Sequence, residues 1–507
     1  MAAPELSVCF TEADVALFAQ AAHDHNPLHV SASYARQSSA GEPVVFGMLG
    51  VLACLGYMKP APGRCLTGVS CDFIAPMLVG PTYQVLVSEA DPASIKGRIL
   101  DGSRLMMEVT VTFQPGVLPS EVVAWESWPA PERPHDPDPG TFVAGLTDSG
   151  TYAPEAGTLA QLATRFSLVK PCFWGNRLAV LLLSSFLIGM RLPGRQALFH
   201  SCRIEFSPLT DGGPSLAYET RIERFDPRFR LLRLVSDVQV GGHTVASIRS
   251  AAIVRPVLRP AHQDDLRALV DPGIDFTGQV ALIVGGSRGL GAAFSQLFAL
   301  SGGTVYVTYH MSGAVAAAMR DAVPEARQRI HLVAGDMARL DHNQALAERI
   351  SRESGRLDYL ICNAAPAIPS LRIEATAAER IAHYVHESLA LALMPMSVCL
   401  PLLEQRAGTC VFVSSSAIND PPAEWPHYVA AKMAIEGLVH TAAKQYANTA
   451  FVIARPVKLL TDLTNTPMGR HGAVSPSHVA AEILMCLHQA NPPGIVTVQA
   501  ATVGQET

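Results

Sequence analysis

The 507-residue sequence predicts two architectures in one chain: an α+β N-terminal half, in which helices pack on an antiparallel sheet, and an α/β C-terminal half with a doubly wound parallel sheet. Three observations support this prediction. The N-terminal half contains one helix–turn–strand pattern twice, a proline-rich tract separates the two copies, and the C-terminal half alternates strands with helices. The length alone indicates two to four domains.

The composition indicates a folded globular chain and excludes several classes of partner. Hydrophobic residues make up 49% of the sequence and charged residues 16%, which is typical of a well-buried protein. The net charge of −6 and the lack of Lys/Arg runs give no support for binding nucleic acid or a membrane surface. The ten cysteines are scattered and Met1–Phe10 lacks a signal-peptide pattern, so we expect reduced thiols and a cytoplasmic location. The apolar stretches Leu178–Met190 and Leu389–Leu403 are expected to be buried helices, since the first is short and the second contains two prolines.

Two boundaries divide the chain into three parts. The tract Trp128–Gly140 is too rich in proline for a helix or a central strand, and a second boundary lies near Arg259–Phe276. The expected parts are therefore residues 1–127, 140–258 and 275–507.

The first two parts resemble each other. Gly50–Met58 is followed by Pro62–Arg64 and a strand, and Leu182–Met190 is followed by Pro193–Arg195 and a strand. A long buried helix wrapped by a twisted antiparallel sheet is the hot-dog arrangement, and two copies in tandem make a double hot dog. Chance similarity between two apolar stretches is the alternative.

The third part is predicted to alternate β-strands and α-helices regularly. The strand Val280–Val284 precedes a glycine-rich turn and a helix from about Ala292. Further strands are expected at Thr304–Thr308, His331–Val333, Leu357–Ile361 and Thr409–Val413. This pattern predicts a Rossmann-type parallel sheet that binds its ligand at the carboxyl ends of the strands.

The turn after the first of these strands has a G-x-x-x-G-x-G pattern. It reads Gly285-Gly286-Ser287-Arg288-Gly289-Leu290-Gly291. Such glycines let the backbone approach a pyrophosphate at the helix N-terminus, where amide donors favour negative charge. The turn therefore predicts a dinucleotide site, although a glycine turn alone is a weak signal.

Further residues follow at spacings that suit a reductase. Tyr428 and Lys432 lie one turn apart on a predicted helix, and Ser415 ends a strand thirteen residues before Tyr428. Asp336 and Asn363 each follow a predicted strand. Each of these residues alone also fits a helix surface or an ordinary strand-end turn.

Together the glycine turn and these residues resemble the short-chain dehydrogenase/reductase family over roughly residues 275–507. The resemblance implies that Tyr428 donates a proton to the substrate carbonyl and that Ser415 polarises it. Lys432 would bind the nicotinamide ribose and lower the pKa of the tyrosine. No metal ion is expected.

The resemblance also assigns cofactor-binding roles outside the glycine turn. Asp336 would lie near the adenine and Asn363 near its ribose, and Thr461, five residues after Pro456, would lie near the nicotinamide amide.

The sequence departs from the family pattern at several positions. Val284 replaces the threonine before the turn, Cys362–Ala365 replaces Asn-Asn-Ala-Gly, and Val457 replaces a glycine. Ser388 stands where the family places a catalytic asparagine, so the usual proton-relay water is in question.

The second strand of this half argues for NADPH. An NAD site places a carboxylate at the end of this strand, whereas the chain reads Thr308-Tyr-His-Met-Ser312 there. Arg288 in the glycine turn is suited to pair with a 2′-phosphate. NADPH is therefore the expected cofactor.

The N-terminal part carries a second motif. Thr11–Asp14 opens an amphipathic helix with a capping box, and His23-Asp-His-Asn-Pro-Leu-His29 follows it. Together with Gly47 at the start of the central helix, this D-x-N-P-x-H motif resembles the MaoC-like family of (R)-specific enoyl-thioester hydratases. Phe46 departs from the histidine that the family often has there.

That resemblance implies an acid/base site for water removal. Asp24 and His29 would handle the hydroxyl and the α-proton, and Asn26 would order the site. The Gly47 amide at a helix N-terminus would stabilise the thioester enolate. Metal binding by the histidines is weakly supported, and Asp24 and Asn26 alternatively cap a turn.

The second copy lacks the D-x-N-P-x-H motif, so we interpret it as a pseudo-subunit that completes the fold and shapes an acyl tunnel. Arg195 and Arg203 are candidates for a phosphopantetheine contact, with a solvated surface as the more ordinary role.

The leading hypothesis is a bifunctional ketoreductase and dehydratase that converts a 3-oxoacyl thioester to a 3-hydroxyacyl and then a 2-enoyl thioester, in fatty-acid- or polyketide-like biosynthesis. The acyl group would be carried by an acyl carrier protein or by coenzyme A. The alternatives are a degradative enoyl-CoA hydratase with 3-hydroxyacyl-CoA dehydrogenase, or one half acting as a non-catalytic scaffold. The family resemblance also predicts a homo-oligomer that pairs through the helices carrying Ser388 and Tyr428.

Overall fold

A computed structural model describes residues 6–91, 93–116, 125–126, 133–168, 176–208, 213–258, 261–466, 469–489 and 493–500. The chain forms two compact units, Met1–Val257 and Leu258–Thr507. Residues 128–132 of the proline-rich tract and Arg259 of the second boundary lie outside the described residues. The further division of the first unit into two domains stays a prediction.

One antiparallel sheet of ten strands runs through the first unit, which confirms the predicted antiparallel N-terminal half. Its strands are β1 (Leu6–Cys9), β2 (Arg64–Phe73), β3 (Thr82–Asp91), β4 (Ser94–Asp101), β5 (Arg104–Pro115), β6 (Thr147–Tyr152), β7 (Ala197–Phe206), β8 (Leu216–Asp226), β9 (Leu231–Val240) and β10 (His243–Val254). The order is β1-β3-β4-β5-β2-β7-β10-β9-β8-β6. The two copies meet where β2 pairs with β7, with Cys71 opposite Cys202.

The first unit also contains six α-helices among its described residues. They are α1 (Glu12–Ala22), α2 (Pro27–Val30), α3 (Ala32–Ala35), α4 (Gly47–Tyr57), α5 (Ala156–Arg165) and α6 (Arg177–Phe186). Helices α4 and α6 are the long apolar helices predicted for the two copies, and nearly all their side chains are buried. A π-helical turn, Leu187–Arg191, extends α6. These buried helices and the inner face of the sheet form one hydrophobic core.

The second unit is built on a parallel sheet of seven strands, as predicted. The strands are β11 (Val280–Val284), β12 (Thr304–Tyr309), β13 (Ile330–Ala334), β14 (Tyr359–Cys362), β15 (Thr409–Val413), β16 (Ala450–Ala454) and β17 (Gly494–Val498). Their order is β13-β12-β11-β14-β15-β16-β17. The strand order reverses between β11 and β14, and in such sheets the ligand crevice lies at this switch point.

Seven α-helices belong to this unit in the described part of the chain. They are α7 (Gln263–Ala268), α8 (Gly289–Leu300), α9 (Gly313–Asp321), α10 (Leu340–Ser354), α11 (Ala378–Glu404), α12 (Pro426–Gln445) and α13 (Pro476–His488). Helix α8 begins at Gly289 rather than near Ala292, because the last two turn glycines belong to its first turn. Strand β14 begins at Tyr359 rather than Leu357.

One helix in the described part of the chain, Ala375–Glu404, is long and apolar enough to cross a membrane by length and composition. Core helices of soluble proteins pass the same test, so this is weak evidence for a span. Its residues Ala392, Met396 and Leu400 are buried in the core of the second unit. One face of the helix therefore packs in the core, while Leu393 is exposed, so the expectation that Leu389–Leu403 is a buried helix is met only in part.

Candidate active sites

The first candidate site is a cavity of about 250 Å³ within the first unit. Helix α1 ends at Ala22, and the left-handed backbone of its C-cap residue His23 (φ 50°) turns the chain back into the core. The predicted capping box between Thr11 and Asp14 is present at the other end of this helix. The cavity is lined by the four residues predicted as the acid/base site, namely Asp24, Asn26, His29 and Gly47.

Asp24 is 1% exposed and makes its hydrogen bonds within the cavity wall. Its carboxylate accepts a hydrogen bond of 2.8 Å from the Ser185 hydroxyl and one of 3.1 Å from the Asn26 amide. Burial raises the pKa of Asp24 to about 7, and these two hydrogen bonds oppose the rise. The carboxyl group therefore exists in both protonation states near neutral pH.

His29 is held as a neutral base. Its Nδ1 lies 2.6 Å from the Val44 carbonyl oxygen, and because a carbonyl only accepts, Nδ1 carries the proton and Nε2 keeps its lone pair. The ring stacks on Phe46 with a centroid distance of 3.9 Å. Burial lowers the pKa of His29 to about 4, the bond to Val44 opposes this, and the Arg255 charge lowers it further.

Asn26 links the motif to the second copy. Its side-chain amide donates to the carbonyls of Gly189 and Gly194, each at 2.9 Å, and its oxygen accepts from the Leu28 amide at 3.0 Å. The alternative that Asn26 caps a turn is thus correct as a local description, because the side chain caps α2. The two bonds to the second copy show that it also orders the cavity.

Gly47 begins α4, where the first amides of a helix have no partner within it. A Cβ at this position would lie 2.7 Å from the ring of Phe73. Only glycine fits there without moving the ring, which brings the helix N-terminus to the cavity wall. This placement suits the predicted contact between the amide and a thioester oxygen.

Sequence reasoning missed the residues that the second copy contributes to this cavity. Ser185 and Gly189 lie in the wall beside Asp24, and a Cβ on Gly189 would be 2.4 Å from the carboxylate. The available signal was a pair of serines, Ser184 and Ser185, inside an otherwise apolar helix. The predicted phosphopantetheine candidates, Arg195 and Arg203, are both exposed and are not among the residues that line this cavity.

No group of three or more His, Cys, Asp or Glu side chains placed to bind a metal ion occurs in the described part of the chain. His23 and His25, the other two histidines of the motif, have pKa values lowered by burial.

The second candidate site lies at the switch point of the parallel sheet. The Gly285 amide donates to Thr308 Oγ1 at 3.0 Å, which fixes the turn against β12. Gly285 and Gly289 have φ values of 77° and 54°, in the left-handed region that favours glycine. A Cβ on Gly291 would lie 2.2 Å from the Gly285 carbonyl oxygen. The glycines therefore leave space over the turn that side chains would occupy, and this space allows a pyrophosphate to approach the backbone closely.

The other predicted cofactor residues surround this turn. Asn363 donates from Nδ2 to the Gly285 carbonyl at 2.9 Å. Thr461 caps a short 3₁₀-helix, and a Cβ on Gly289 would lie 3.3 Å from its methyl group. Asp336 follows β13 and accepts from the Ala338 amide at 3.0 Å. Ser287 and Leu290 are buried within the turn and the first turn of α8.

Arg288 has a partner that the sequence did not reveal. Its guanidinium lies 3.5 Å from the Asp462 carboxylate, whose pKa is raised by burial and lowered by this charge. A 2′-phosphate would compete with Asp462 for the same guanidinium.

Of the three residues predicted to be catalytic, Tyr428 and Lys432 lie on α12. Ser415 does not end the strand as predicted: β15 ends at Val413, and Ser415 caps the 3₁₀ turn Ser416–Ile418 that follows. Lys432 Nζ is 5.6 Å from the centroid of the Tyr428 ring, and Ser415 hydrogen-bonds the tyrosine hydroxyl. Burial raises the pKa of Tyr428, and the bond to Ser415 opposes the rise. Tyr428 is consequently a protonated phenol at neutral pH. The Lys432 ammonium donates to the Val413 carbonyl at 2.7 Å, and its expected lowering of the tyrosine pKa stays a prediction.

Lys432 is 6% exposed and close to charged groups. Burial lowers its pKa to about 8, while Cys362 and Glu436 raise it. Glu436 is in turn held by two hydrogen bonds from Arg455, at 3.0 and 2.6 Å. The ammonium therefore remains charged at neutral pH beside the tyrosine.

Comparison with known proteins assigns a family to each unit. Residues 279–470 match the family described as short chain dehydrogenase, and residues 2–107 match the one described as MaoC like domain.

Individual relatives match over part of the chain. A cis-2,3-dihydrobiphenyl-2,3-diol dehydrogenase of Pseudomonas sp. is 30% identical over 34% of this chain and 63% of its own length. A cis-4-hydroxycyclohexanecarboxylate dehydrogenase of Sinomonas cyclohexanicum is 33% identical over 34% of this chain and 70% of its own length. A 3-oxoacyl-(acyl-carrier-protein) reductase of Synechocystis sp. is 26% identical over 41% of this chain and 88% of its own length. The match with the Pseudomonas protein thus spans less than two thirds of that relative.

Proposed function

The chain belongs to the short-chain dehydrogenase family through residues 279–470 and carries a MaoC-like domain in residues 2–107, and from this pairing we propose that it reduces a 3-oxoacyl thioester and then dehydrates the product. A short-chain dehydrogenase domain is an oxidoreductase that uses a nicotinamide cofactor, and a MaoC-like domain is a hydratase or dehydratase. The product expected from the first reaction is the substrate of the second. The tandem copies on one antiparallel sheet support the double hot-dog architecture for the first unit.

The observation that carries the dehydratase is the pair Asp24 and His29 in one cavity, with pKa values pushed in opposite directions to about 7 and about 4. Two titratable groups separated in this way divide the roles of acid and base. Neutral His29, with Nε2 free to accept, takes the α-proton of the 3-hydroxyacyl thioester. Protonated Asp24 gives its proton to the departing hydroxyl, which leaves as water. The Gly47 amide donates to the thioester oxygen, on which negative charge develops.

The reductase depends on Tyr428, Ser415 and Lys432. A bound nicotinamide cofactor would supply a hydride to the carbonyl carbon. Tyr428 gives its phenol proton to the carbonyl oxygen, which Ser415 orients by a hydrogen bond. The positive charge of Lys432 beside the ring stabilises the phenolate that remains.

The cofactor proposed is NADPH. No carboxylate follows β12 to repel a 2′-phosphate, and Arg288 in the glycine turn is suited to bind one. The relative named as a 3-oxoacyl-(acyl-carrier-protein) reductase supports the same substrate class for this chain. We further propose an acyl carrier protein or coenzyme A as the carrier, a cytoplasmic location and a homo-oligomer that pairs through α11 and α12.

A second candidate is the reverse sequence, in which a 2-enoyl thioester is hydrated and the alcohol is oxidised. The names of two relatives, which are dehydrogenases of cyclic alcohols and diols, favour it. A preference for NAD over NADP would support this alternative.

Single substitutions in each unit separate the two activities. Tyr428→Phe is expected to abolish reduction of a 3-oxoacyl N-acetylcysteamine thioester, while dehydration of the 3-hydroxyacyl thioester continues. Asp24→Asn is expected to give the opposite result. If Tyr428→Phe reduces at the wild-type rate, or Asp24→Asn dehydrates at it, the corresponding assignment is wrong.

A further inference from the structure

A second buried charge, the carboxylate of Glu436, lies one turn beyond Lys432 on α12. Side chains four residues apart project from the same face of a helix, so the carboxylate and the ammonium are neighbours. Both are buried, with exposed fractions of 7% for Glu436 and 6% for Lys432. Removing a charge from water is costly unless the charge is paired and hydrogen-bonded. A carboxylate at this depth is therefore expected to have specific partners.

Two residues at the carboxyl ends of neighbouring strands hold this carboxylate. Arg455, directly after β16, donates two hydrogen bonds to Glu436, at 3.0 and 2.6 Å. The hydroxyl of Ser414, directly after β15, donates another. Burial raises the pKa of Glu436, but the bonds from Arg455 and Ser414 and the charges of Arg455 and His440 lower it overall. Glu436 is therefore negatively charged at neutral pH.

The same strand end fixes the lysine. Lys432 Nζ donates to the carbonyl of Val413 at 2.7 Å, and Val413 is the residue before Ser414. The Ser414 amide in turn donates to the carbonyl of the last residue of β16 at 2.7 Å. One continuous set of hydrogen bonds thus joins the lysine and the glutamate across the carboxyl ends of β15 and β16. The position of the ammonium is therefore tied to that of Glu436.

Glu436 also determines whether the buried lysine keeps its proton. Burial lowers the pKa of Lys432 to about 8, while Cys362 and Glu436 raise it. A hydrogen bond with Cys410, together with burial, raises the pKa of Cys362 well above its ordinary value, so Cys362 is a neutral thiol at neutral pH. Tyr428, which also faces the ammonium, is a protonated phenol. Of these neighbours Glu436 is the one that carries a negative charge, and a nearby opposite charge favours the charged form of the lysine.

We propose that Glu436, fixed by Ser414 and Arg455, is a positioning residue that keeps Lys432 charged and oriented for carbonyl reduction. The proposal rests on the proposed reductase function, in which the ammonium stabilises the phenolate of Tyr428. In each turnover the phenol O–H bond breaks and an O–H bond forms on the substrate oxygen, while Lys432 keeps its proton throughout. A charged ammonium attracts the phenolate, whereas a neutral amine does not.

The charge of Lys432 is measured directly by NMR, independently of activity. In protein labelled with lysine carrying ¹³C at Cε, the signal of Lys432 is identified by its loss in Lys432→Arg. The chain has few lysines to resolve, namely Lys59, Lys96, Lys170, Lys432, Lys444 and Lys458. In the wild type we expect this signal to titrate near pH 8, because the pKa is about 8. In Glu436→Gln it should titrate at least about one pH unit lower, and Glu436→Asp, which keeps the carboxylate, should restore most of the difference.

Two further variants control for removal of a buried charge. Asp358 is also buried and paired with an arginine, Arg356, but it precedes β14 at the opposite end of the strands. Asp358→Asn should therefore leave the titration of Lys432 unchanged. The double variant Glu436→Gln with Arg455→Met leaves no buried guanidinium without its carboxylate, so it guards against misfolding of the single variant. Its Lys432 signal should also titrate below that of the wild type.

The pH dependence of reduction separates a charge effect from a loss of structure. At pH 6 Lys432 is charged with or without Glu436, so kcat for a 3-oxoacyl N-acetylcysteamine thioester should be similar in Glu436→Gln and the wild type. At pH 8 the charged fraction should fall from about half to about one tenth, and kcat should fall about fivefold relative to the wild type. A purely structural role would lower kcat by the same factor at both pH values.

The outcomes distinguish the positioning role from the proposed function. If Lys432 titrates as in the wild type in both variants that lack the carboxylate, the positioning role of Glu436 is wrong, even in an active reductase. If the wild-type enzyme reduces no 3-oxoacyl thioester, the proposed function is wrong, whatever the titration shows. A lower titration of Lys432 together with loss of kcat at pH 8 alone would support both.

Discussion

Replacing Ser185 with alanine tests how the second copy tunes the dehydratase. The Ser185 hydroxyl donates to the Asp24 carboxylate at 2.8 Å, and it stabilises the charged form of that group. Both side chains are buried, so solvent cannot replace the lost bond easily. The substitution should therefore raise the pKa of Asp24 above its value of about 7.

The size of the shift follows from the energy of the bond. A hydrogen bond to a charged group contributes about 1.5–3 kcal/mol, and one pKa unit corresponds to about 1.4 kcal/mol. A rise of at least about one unit is therefore expected. At pH 7 the protonated fraction of Asp24 would increase from about half to about nine tenths. Because protonated Asp24 is the proposed acid, the alkaline limb of kcat/KM should move from near pH 7 to near pH 8.

The assay is dehydration of a 3-hydroxyacyl thioester followed across the pH range. Ser184→Ala is the matched control, because Ser184 is buried on the same helix but donates to the Leu181 carbonyl. Its profile should coincide with that of the wild type, and reductase activity should be unchanged in both variants. If the alkaline limb of kcat/KM in Ser185→Ala stays near pH 7, Ser185 does not set the pKa of Asp24. A rate that rises rather than falls through pH 7 would assign Asp24 the role of base instead.

Three further changes give distinct results. Gly189→Ala places a Cβ 2.4 Å from the Asp24 carboxylate. The rate of dehydration should therefore fall at least ~100-fold, while the rate of reduction is unchanged. Equal rates of dehydration in the variant and the wild type would contradict this packing. Asp24→Asn should raise the free energy of unfolding above pH 7. The pKa of Asp24 is about 7 in the folded protein, whereas the ordinary value that applies to the unfolded chain is 3.8. The free energy of unfolding of the wild type therefore falls by up to ~4 kcal/mol as the pH rises between these two values. Urea titrations at acid and alkaline pH would show the variant and wild type diverging, and parallel curves would exclude the buried charge. Arg288→Ala should raise the KM for NADPH about tenfold and leave the KM for NADH unchanged. An equal rise in both KM values would exclude a contact between Arg288 and the 2′-phosphate.

Local patterns in the sequence predicted most of the second unit. Strand β11 matches its predicted bounds, since an apolar run of five residues ending in a glycine turn has few other conformations. The glycine turn, Asn363 and Thr461 lie together because parallel strands bring their carboxyl ends to one edge. The direction of the Lys432 ammonium was not predictable, because it depends on the Val413 carbonyl across the α12–β15 interface.

In the first unit, contacts between residues close in sequence could be predicted, whereas contacts between the two copies could not. The capping box of α1 and the start of α4 at Gly47 follow from contacts within a few residues. The bond between Ser185 and Asp24 joins residues 161 positions apart, and no pattern along the chain specifies which face of α6 meets the motif. The same limit applies to Asp462, the partner of Arg288, which lies far along the chain from the glycine turn.

The measurement that tests the central claim most directly is intact-mass analysis of a 3-oxoacyl thioester incubated with the full-length enzyme and NADPH. We expect a species heavier by two hydrogens, followed by one that has lost a water. Reduction without loss of water, for every chain length tried, would contradict the assignment of the first unit. An unchanged substrate in the presence of bound NADPH would contradict the proposed function as a whole.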